Sequence, residues 1–297
     1  MSVRRVVVTG IGAVTPLAAT AVASWQRLLS GECGIRKISH MPVDDLACQV
    51  AGIVPGVGEP DGLNLDEFVP SKTQRQTDRF IHLGLVASEE AVKDANLGEL
   101  TSEEQERVGV MLGSGIGGLD GIAKTALTLE QEGPRRISPF FIPACLINLL
   151  SGHVAIKYGF KGPNHSVVTA CSTGAHAIGD AAKLIKMGYA DVMVAGGAEA
   201  AVCRIGIAGF AALRALATKF NDNPKAASRP WDKARDGFVM GEGAGVVVLE
   251  EYERAKARGA TIYGELLGYG LTGDAHHITA PDGDGAKRAM RNAIADA

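Results

Sequence analysis

The 297-residue chain carries 30 Lys and Arg against 33 Asp and Glu, a net charge of −3, so its charge gives no support for nucleic-acid binding. Hydrophobic residues make up 46% of it, enough for a large buried core in one large or two similar-sized domains, and no apolar run approaches the ~20 residues that span a bilayer. The five cysteines, Cys33, Cys48, Cys145, Cys171 and Cys203, are odd in number and lack CxxC spacing, which supports neither a disulfide framework nor a zinc knuckle and fits a reducing compartment.

Val3 to Thr9 is a nearly continuous apolar run, expected to form a strand covered on both faces. The residues before it form no signal segment or Arg/Ser-rich transit peptide. The expected location is therefore a bacterial cytoplasm, or an organelle matrix once a transit peptide has been removed. Gly10-Ile-Gly12-Ala-Val-Thr-Pro16 is expected to turn the strand, and Pro16 and the missing third glycine argue against a dinucleotide fingerprint. Ala21 to Ser30 reads as a helix ended by Gly31, and residues 33–70 as an irregular excursion. From Ser71 an Ala-rich helix is expected to run to Asn96. Lys72, Arg75 and Arg79 recur in it at i, i+3 and i+7, a spacing that fits either a solvated face or a basic docking face.

Val108 to Leu112 is a second strand. The loop Gly113-Ser-Gly115-Ile116-Gly117-Gly118 lacks the Lys-Ser/Thr of a P-loop and reads as a place where backbones pack closely or a ligand chain passes. Arg135 and Arg136 form a basic pair on a loop. Ser138-Pro-Phe-Phe141-Ile-Pro143, followed by Leu146 to Leu150, is too apolar for a lone surface helix and suits contact with a second subunit.

Val167 to Ala195 reads as strand, sharp turn, helix and strand. Val167 and Val168 suit a buried strand, Ser172 to Met187 has near-helical apolar spacing, and Gly188 is a C-terminal cap. Cys171 then falls at a helix N-terminus, where unpaired N–H groups and the helix dipole favour a thiolate. This is the layout of a nucleophile elbow with cysteine in place of serine; the same pattern also suits an inert core cysteine. Asp191 to Ala195 is a strand ending in Gly196-Gly-Ala-Glu199. Phe210, preceded by Gly209, suits either a mobile apolar flap or a plain core helix. Arg229 to Phe238 is a polar loop, Gly241 to Leu249 a strand, Glu250 to Arg258 a helix, Thr261 to Tyr269 a strand, and Gly285 to Ala297 a helix. The adjacent His276 and His277 make a weak metal site, and no metal is expected. The element order implies an α/β fold with a parallel-rich sheet.

Seven motifs, in order, resemble the β-ketoacyl-acyl-carrier-protein synthases of the thiolase superfamily, most closely the elongating type II enzymes. They are Val-Val-Thr-Gly-Ile-Gly-Ala-Val-Thr-Pro16, Gly-Ser-Gly-Ile-Gly-Gly118, Ser-Pro-Phe-Phe-Ile-Pro143, Thr-Ala-Cys171-Ser-Thr-Gly-Ala-His176, Ala-Gly-Gly-Ala-Glu199, Arg-Pro-Trp-Asp232 and Arg-Asp-Gly-Phe-Val-Met-Gly-Glu-Gly-Ala-Gly245. The resemblance implies a thiolase-like αβαβα layered sandwich. Residues 1–250 would be its nucleophile-bearing half and residues 251–297 an incomplete second half, truncated after its first strand and helix. It further implies a homodimer, an acyl carrier protein as partner, and no cofactor, nucleic acid or membrane.

The implied reaction is a decarboxylating Claisen condensation of an acyl-enzyme with malonyl carrier protein in fatty-acid elongation. By the same resemblance Cys171 is the nucleophile, Ile116 lines the deep end of the acyl tunnel, and Cys145 and Leu146 reach the partner's tunnel. Phe210 is a gate, and His277 and Thr279 lie near the pantetheine entrance. Lys72, Arg75, Arg135, Arg136 and Arg214 dock the carrier, while the usually basic position after Arg75 is Gln76 here. The family stabilises the carbanion with two histidines and a lysine on His-Gly-Thr and Asn-x-x-x-Gly-His segments that do not occur here, so the chain alone is expected not to condense. The alternatives are a thiolase or coenzyme A-primed initiating synthase, or a non-condensing acyl-binding fragment.

Overall fold

The computed structural model describes residues 4–297, so Val3 lies outside it. The first strand, β1 (Val6–Val14), does not turn at Gly10 but continues to Val14, with a register irregularity between Val8 and Gly10. Next comes α1 (Ala21–Leu29), where Thr20 Oγ1 accepts from the Ala23 N–H and Gly31 follows at φ +72°. Residues 33–70 are more regular than their composition suggests, because β2 (Ile35–Lys37) and β3 (Val50–Gly52) pair antiparallel.

The expected single helix from Ser71 is broken. After α2 (Ser71–Gln74) the chain turns, and α3 (Arg79–Ala95) starts beyond Asp78. The break removes Arg79 from any face shared with Lys72 and Arg75. Its guanidinium instead makes two hydrogen bonds, 2.6 and 2.7 Å, to the nearly buried Glu242, which also accepts from the Val54 N–H. A buried carboxylate needs such partners, and this pull outweighs helical periodicity. The glycines of β1 are explained by α3, which lies directly on the strand. A Cβ on Gly10 would be 2.2 Å from the Ala91 carbonyl oxygen, and one on Gly12 2.0 Å from that of Ala87.

The chain continues through α4 (Ser102–Glu106), β4 (Val108–Gly113), α5 (Leu119–Glu132), a 3-10 turn at Pro134–Arg136, α6 (Phe141–Cys145) and α7 (Asn148–Tyr158). The strand expected at Val167–Val168 is displaced: the paired residues are Asn164–His165, which form β5. Beyond them the Ser151 and Ser166 hydroxyls take the Leu112 backbone groups on that edge. Leu112 N–H donates to Ser151 Oγ (2.9 Å), and Ser166 Oγ donates to the Leu112 carbonyl (2.5 Å), so the ladder stops. Then come α8 (Thr173–Lys186), β6 (Val192–Glu199), α9 (Arg204–Ala212), β7 (Gly243–Glu251), α10 (Tyr252–Ala257), β8 (Gly264–Glu265) and α11 (Asp284–Asp296). The strand expected over Thr261–Tyr269 is thus only two residues long, at the sheet edge.

The main sheet has the order β5-β4-β6-β7-β1-β8. It is mixed rather than parallel-rich: β4 is parallel to β5 and β6, but β7 is antiparallel to both β6 and β1. Its two faces follow the period of two. Val110, Leu112, Val194, Val246 and Val248 pack with α3 and α7, while Met111, Met193, Ala195 and Leu249 pack with α8. A third cluster, with Val50, Ile207, Leu216 and Met240, joins the β2–β3 hairpin to α9 beside the sheet. The fully buried Glu250 is matched by Arg254 and Arg258 and by the Thr9 hydroxyl; Arg258 also donates to the Ala95 and Asn96 carbonyls at the end of α3.

Candidate active site

Cys171 follows directly on a kink. Ala170 has φ +50°, the left-handed region that L-residues other than Asn and Asp avoid, and residues Ala170–Ser172 make a 3-10 turn before α8. The kink is fastened on both sides. Thr169 N–H donates to Thr173 Oγ1 (2.8 Å), and His176 Nδ1 is 2.7 Å from Thr169 Oγ1. Glycines let α8 settle on the strand ends: a Cβ on Gly113 would lie 2.3 Å from Thr173 Cγ2, and one on Gly197 3.3 Å from Gly174 Cα. The Cys171 side chain is exposed at the N-terminal end of α8, where the helix dipole favours an anion; Ser172 makes no side-chain capping hydrogen bond, and the Thr173 N–H donates to the Ala170 carbonyl.

Cys171 opens onto a largely apolar cavity of about 590 Å³, bounded by the ends of β4 and β6, the start of α8, Phe210 of α9, the loop from Phe238 to Gly241 and the start of β7. Ile116 and Phe210 line it together with Cys171. Phe210 packs edge to face on Phe238. Cys145 and Leu146 are not among the lining residues. Cys145 packs behind the glycine loop, where a Cβ on Gly118 would come within 2.7 Å of its Cα, and burial pushes its thiol up from the ordinary range. Leu146 is on the surface.

The sequence reading assigned no role to Glu199, which ends β6 and lines the cavity. Its carboxylate accepts from Ser114 Oγ (2.8 Å), Gly115 N–H (2.9 Å) and Ile116 N–H (3.1 Å). Burial pushes its carboxyl up from the ordinary value, while these donors pull it down. The signals in the sequence are an acid closing a strand of otherwise small and apolar residues and its place at the end of the Ala-Gly-Gly-Ala-Glu199 motif.

The basic residues are exposed on three separate elements. Lys72 and Arg75 are on and just after α2, Arg135 and Arg136 are on the 3-10 turn after α5, and Arg214 lies beyond α9 at φ +55°. Arg136 pairs with Glu132 at 3.1 Å. His277 and Thr279 share an exposed loop, with Thr279 N–H donating to His277 Nδ1 at 3.1 Å, and neither lines the cavity. Among the described residues no cluster of His, Cys, Asp or Glu is arranged to hold a metal, and no helix is long and apolar enough to cross a membrane.

A family model, Beta-ketoacyl synthase, N-terminal domain, matches residues 3–255. The chain is 56% identical over 294 residues to 3-oxoacyl-[acyl-carrier-protein] synthase 2 of Rhizobium meliloti, covering 98% of this chain and 70% of the relative. It is 50% identical to the mitochondrial 3-oxoacyl-[acyl-carrier-protein] synthase of Arabidopsis thaliana, covering 98% of this chain and 66% of the relative. Among solved structures, a β-ketoacyl synthase from Burkholderia phymatum superposes with a TM-score of 0.84 at 34% identity, covering 99% of this chain and 70% of the other. A type II polyketide ketosynthase, in complex with its acyl carrier protein and bound to a hexaketide, superposes with a TM-score of 0.85 at 31% identity and the same coverage. The cysteine elbow, the apolar cavity beside it and these likenesses agree: the chain belongs to the β-ketoacyl synthase family, the condensing acyltransferases of thiolase-like fold.

Proposed function

We propose that this chain carries the acyl-accepting chemistry of a 3-oxoacyl-[acyl-carrier-protein] synthase of fatty-acid elongation. The observation that carries the reading is that Cys171, at the kinked start of α8, shares one apolar cavity with Ile116 and Phe210. The Cys171 thiolate attacks the thioester carbonyl of an acyl carrier protein. In this reading the Cys171 N–H donates to the oxyanion, which collapses to acyl-Cys171 and expels the carrier's pantetheine thiolate to take up a proton. The acyl chain lies along Ile116, with Phe210 as its gate. The later condensing step, in which malonyl carrier protein loses CO2 and its carbanion attacks the acyl-Cys171 carbonyl to release the 3-oxoacyl product and the free thiolate, needs the His-Gly-Thr and Asn-x-x-x-Gly-His segments that do not occur in these 297 residues.

Lys72, Arg75, Arg135, Arg136 and Arg214 are the docking charges for the acidic carrier. His277 and Thr279 stand at the pantetheine entrance, and Cys145 and Leu146 face a second copy in a homodimer, of which the exposed Phe140, Ile142 and Leu146 would form part of the seam. Residues 1–250 are the nucleophile-bearing half of the sandwich and 251–297 open the second half. The location that suits this reading is the cytoplasm.

The test is intact-protein mass after incubation with hexadecanoyl acyl carrier protein. Addition of one acyl group to the wild type and none to Cys171→Ala supports the reading; no addition to the wild type sinks it. Faster acylation from hexadecanoyl coenzyme A than from the carrier would favour a coenzyme A-primed synthase or thiolase.

A further inference from the structure

We infer that Glu199 is a positioning residue that sets the acyl-chain selectivity of the Cys171 cavity by pinning the loop that carries Ile116. The inference rests on the acyl-accepting role of Cys171. Four observations converge on it. Both Glu199 oxygens are used on the loop after β4, with Oε1 taking the Ser114 hydroxyl and Oε2 taking the Gly115 and Ile116 N–H groups. Ser114 Oγ accepts in turn from the Gly117 N–H at 3.0 Å, so one carboxylate fixes four consecutive residues. No cation forms an ion pair with Glu199 among the described residues, so its charge is matched by these donors alone. Finally, the space at Gly115 is closed from two sides. A Cβ there would lie 3.0 Å from Glu199 Oε2 and 3.1 Å from the carbonyl oxygen of Ala170, the residue whose left-handed φ precedes the nucleophile.

The position of Ile116, the loop backbone and the Cys171 elbow are therefore set against one another through Glu199. Fixed groups of this kind act on reach and alignment, not on proton transfer. Loosening the loop would move the Ile116 side chain into the path of a long acyl chain while leaving room for a short one.

The experiment compares acylation of Cys171 by hexadecanoyl and acetyl carrier protein in the wild type, Glu199→Gln, Glu199→Asp and Glu199→Ala. Glutamine reaches the same distance and keeps one oxygen for the two N–H groups, so Glu199→Gln should stay within about threefold of the wild type at both lengths. Aspartate is a methylene short and alanine has no acceptor, so both should lose about tenfold with hexadecanoyl, chiefly in KM, and little with acetyl. Equal losses at both lengths, or a Glu199→Gln variant as impaired as Glu199→Ala, overturn the inference. Alkylation of Cys171 by N-methyl and N-dodecyl maleimide gives a second measure. A fall in the dodecyl-to-methyl rate ratio in Glu199→Ala supports the positioning role even if carrier-borne substrates fail, and an unchanged ratio counts against it. Failure of the wild type to accept any acyl group is a separate outcome that strikes the proposed function.

Discussion

Phe210 of α9 and Phe238 of the loop before β7 meet edge to face, with ring centroids 5.4 Å and planes 80° apart, and both line the cavity onto which Cys171 opens. Such a pair adds about 1 kcal/mol beyond the area it buries. Phe210→Ala, at this half-buried position, should cost about 2 kcal/mol of stability in denaturant titration. It should also raise the rate of Cys171 alkylation by a bulky maleimide several-fold. An unchanged alkylation rate would remove Phe210 from the gate role.

Gly209 precedes Phe210 inside α9, and a Cβ there would meet nothing within 4 Å. A helical glycine in open space destabilises by about 0.5–1 kcal/mol relative to alanine. Gly209→Ala should therefore raise the denaturation midpoint. If the helix end must flex to pass an acyl chain, the same variant slows hexadecanoyl transfer, and a more stable variant with unimpaired transfer would show that Phe210 moves by side-chain rotation alone.

Gly12 is the opposite case. A Cβ there would sit 2.0 Å from the Ala87 carbonyl oxygen in the backbone of α3, and no rotamer relieves that contact. Gly12→Ala should cost about 3 kcal/mol, seen as a lower midpoint or as loss of soluble protein.

His82 is buried at the start of α3, with Nε2 2.9 Å from Thr77 Oγ1. Burial, reinforced by the Arg79 charge, pushes it down to about 4. The unfolded chain titrates near 6.5 and so binds more protons than the folded one between these values. Stability is thus fully present above pH ~6.5 and falls as pH drops toward 4, by about 3 kcal/mol in total. Burial lowers His153 as well, which acts in the same direction. In paired urea titrations His82→Gln should lose less stability than the wild type across this window; parallel curves would contradict the assignment.

Arg75→Glu combined with Arg214→Glu should raise KM for an acyl carrier protein about tenfold at low salt, and by less at high salt as screening takes over. The rate with a small maleimide should not change. Equal effects on both reagents would mean that the substitutions disturb the site and not carrier docking.

The local pattern around Cys171 was readable because its causes are local. Small residues follow the cysteine, helical spacing runs from Thr173 to Lys186, and Gly188 closes the helix at φ +83°. The same holds for α1 and its glycine stop, and for the alternation that sorts Val194 and Met193 to opposite faces of the sheet. What periodicity misjudged was wherever a distant group competed for the same atoms. Arg79 left the basic face because Glu242, far along the chain, needed a counter-charge. The strand at Val167–Val168 gave way because Ser151 and Ser166 occupy the Leu112 backbone. Gly10 and Gly12 looked like a turn but make room for α3.

The sequence by itself therefore determined the local pattern around Cys171, the helix after it and the alternating core, since each depends on residues within a turn or a strand of one another, and it showed the family through motifs spread along the chain. Only the tertiary structure decided that β7 runs antiparallel between β6 and β1, that Ile116, Phe210 and Cys171 share one cavity, and that Glu199 holds the loop between them. A buried carboxylate takes its role from the donors folded against it, and those donors lie some 80 residues away in the chain.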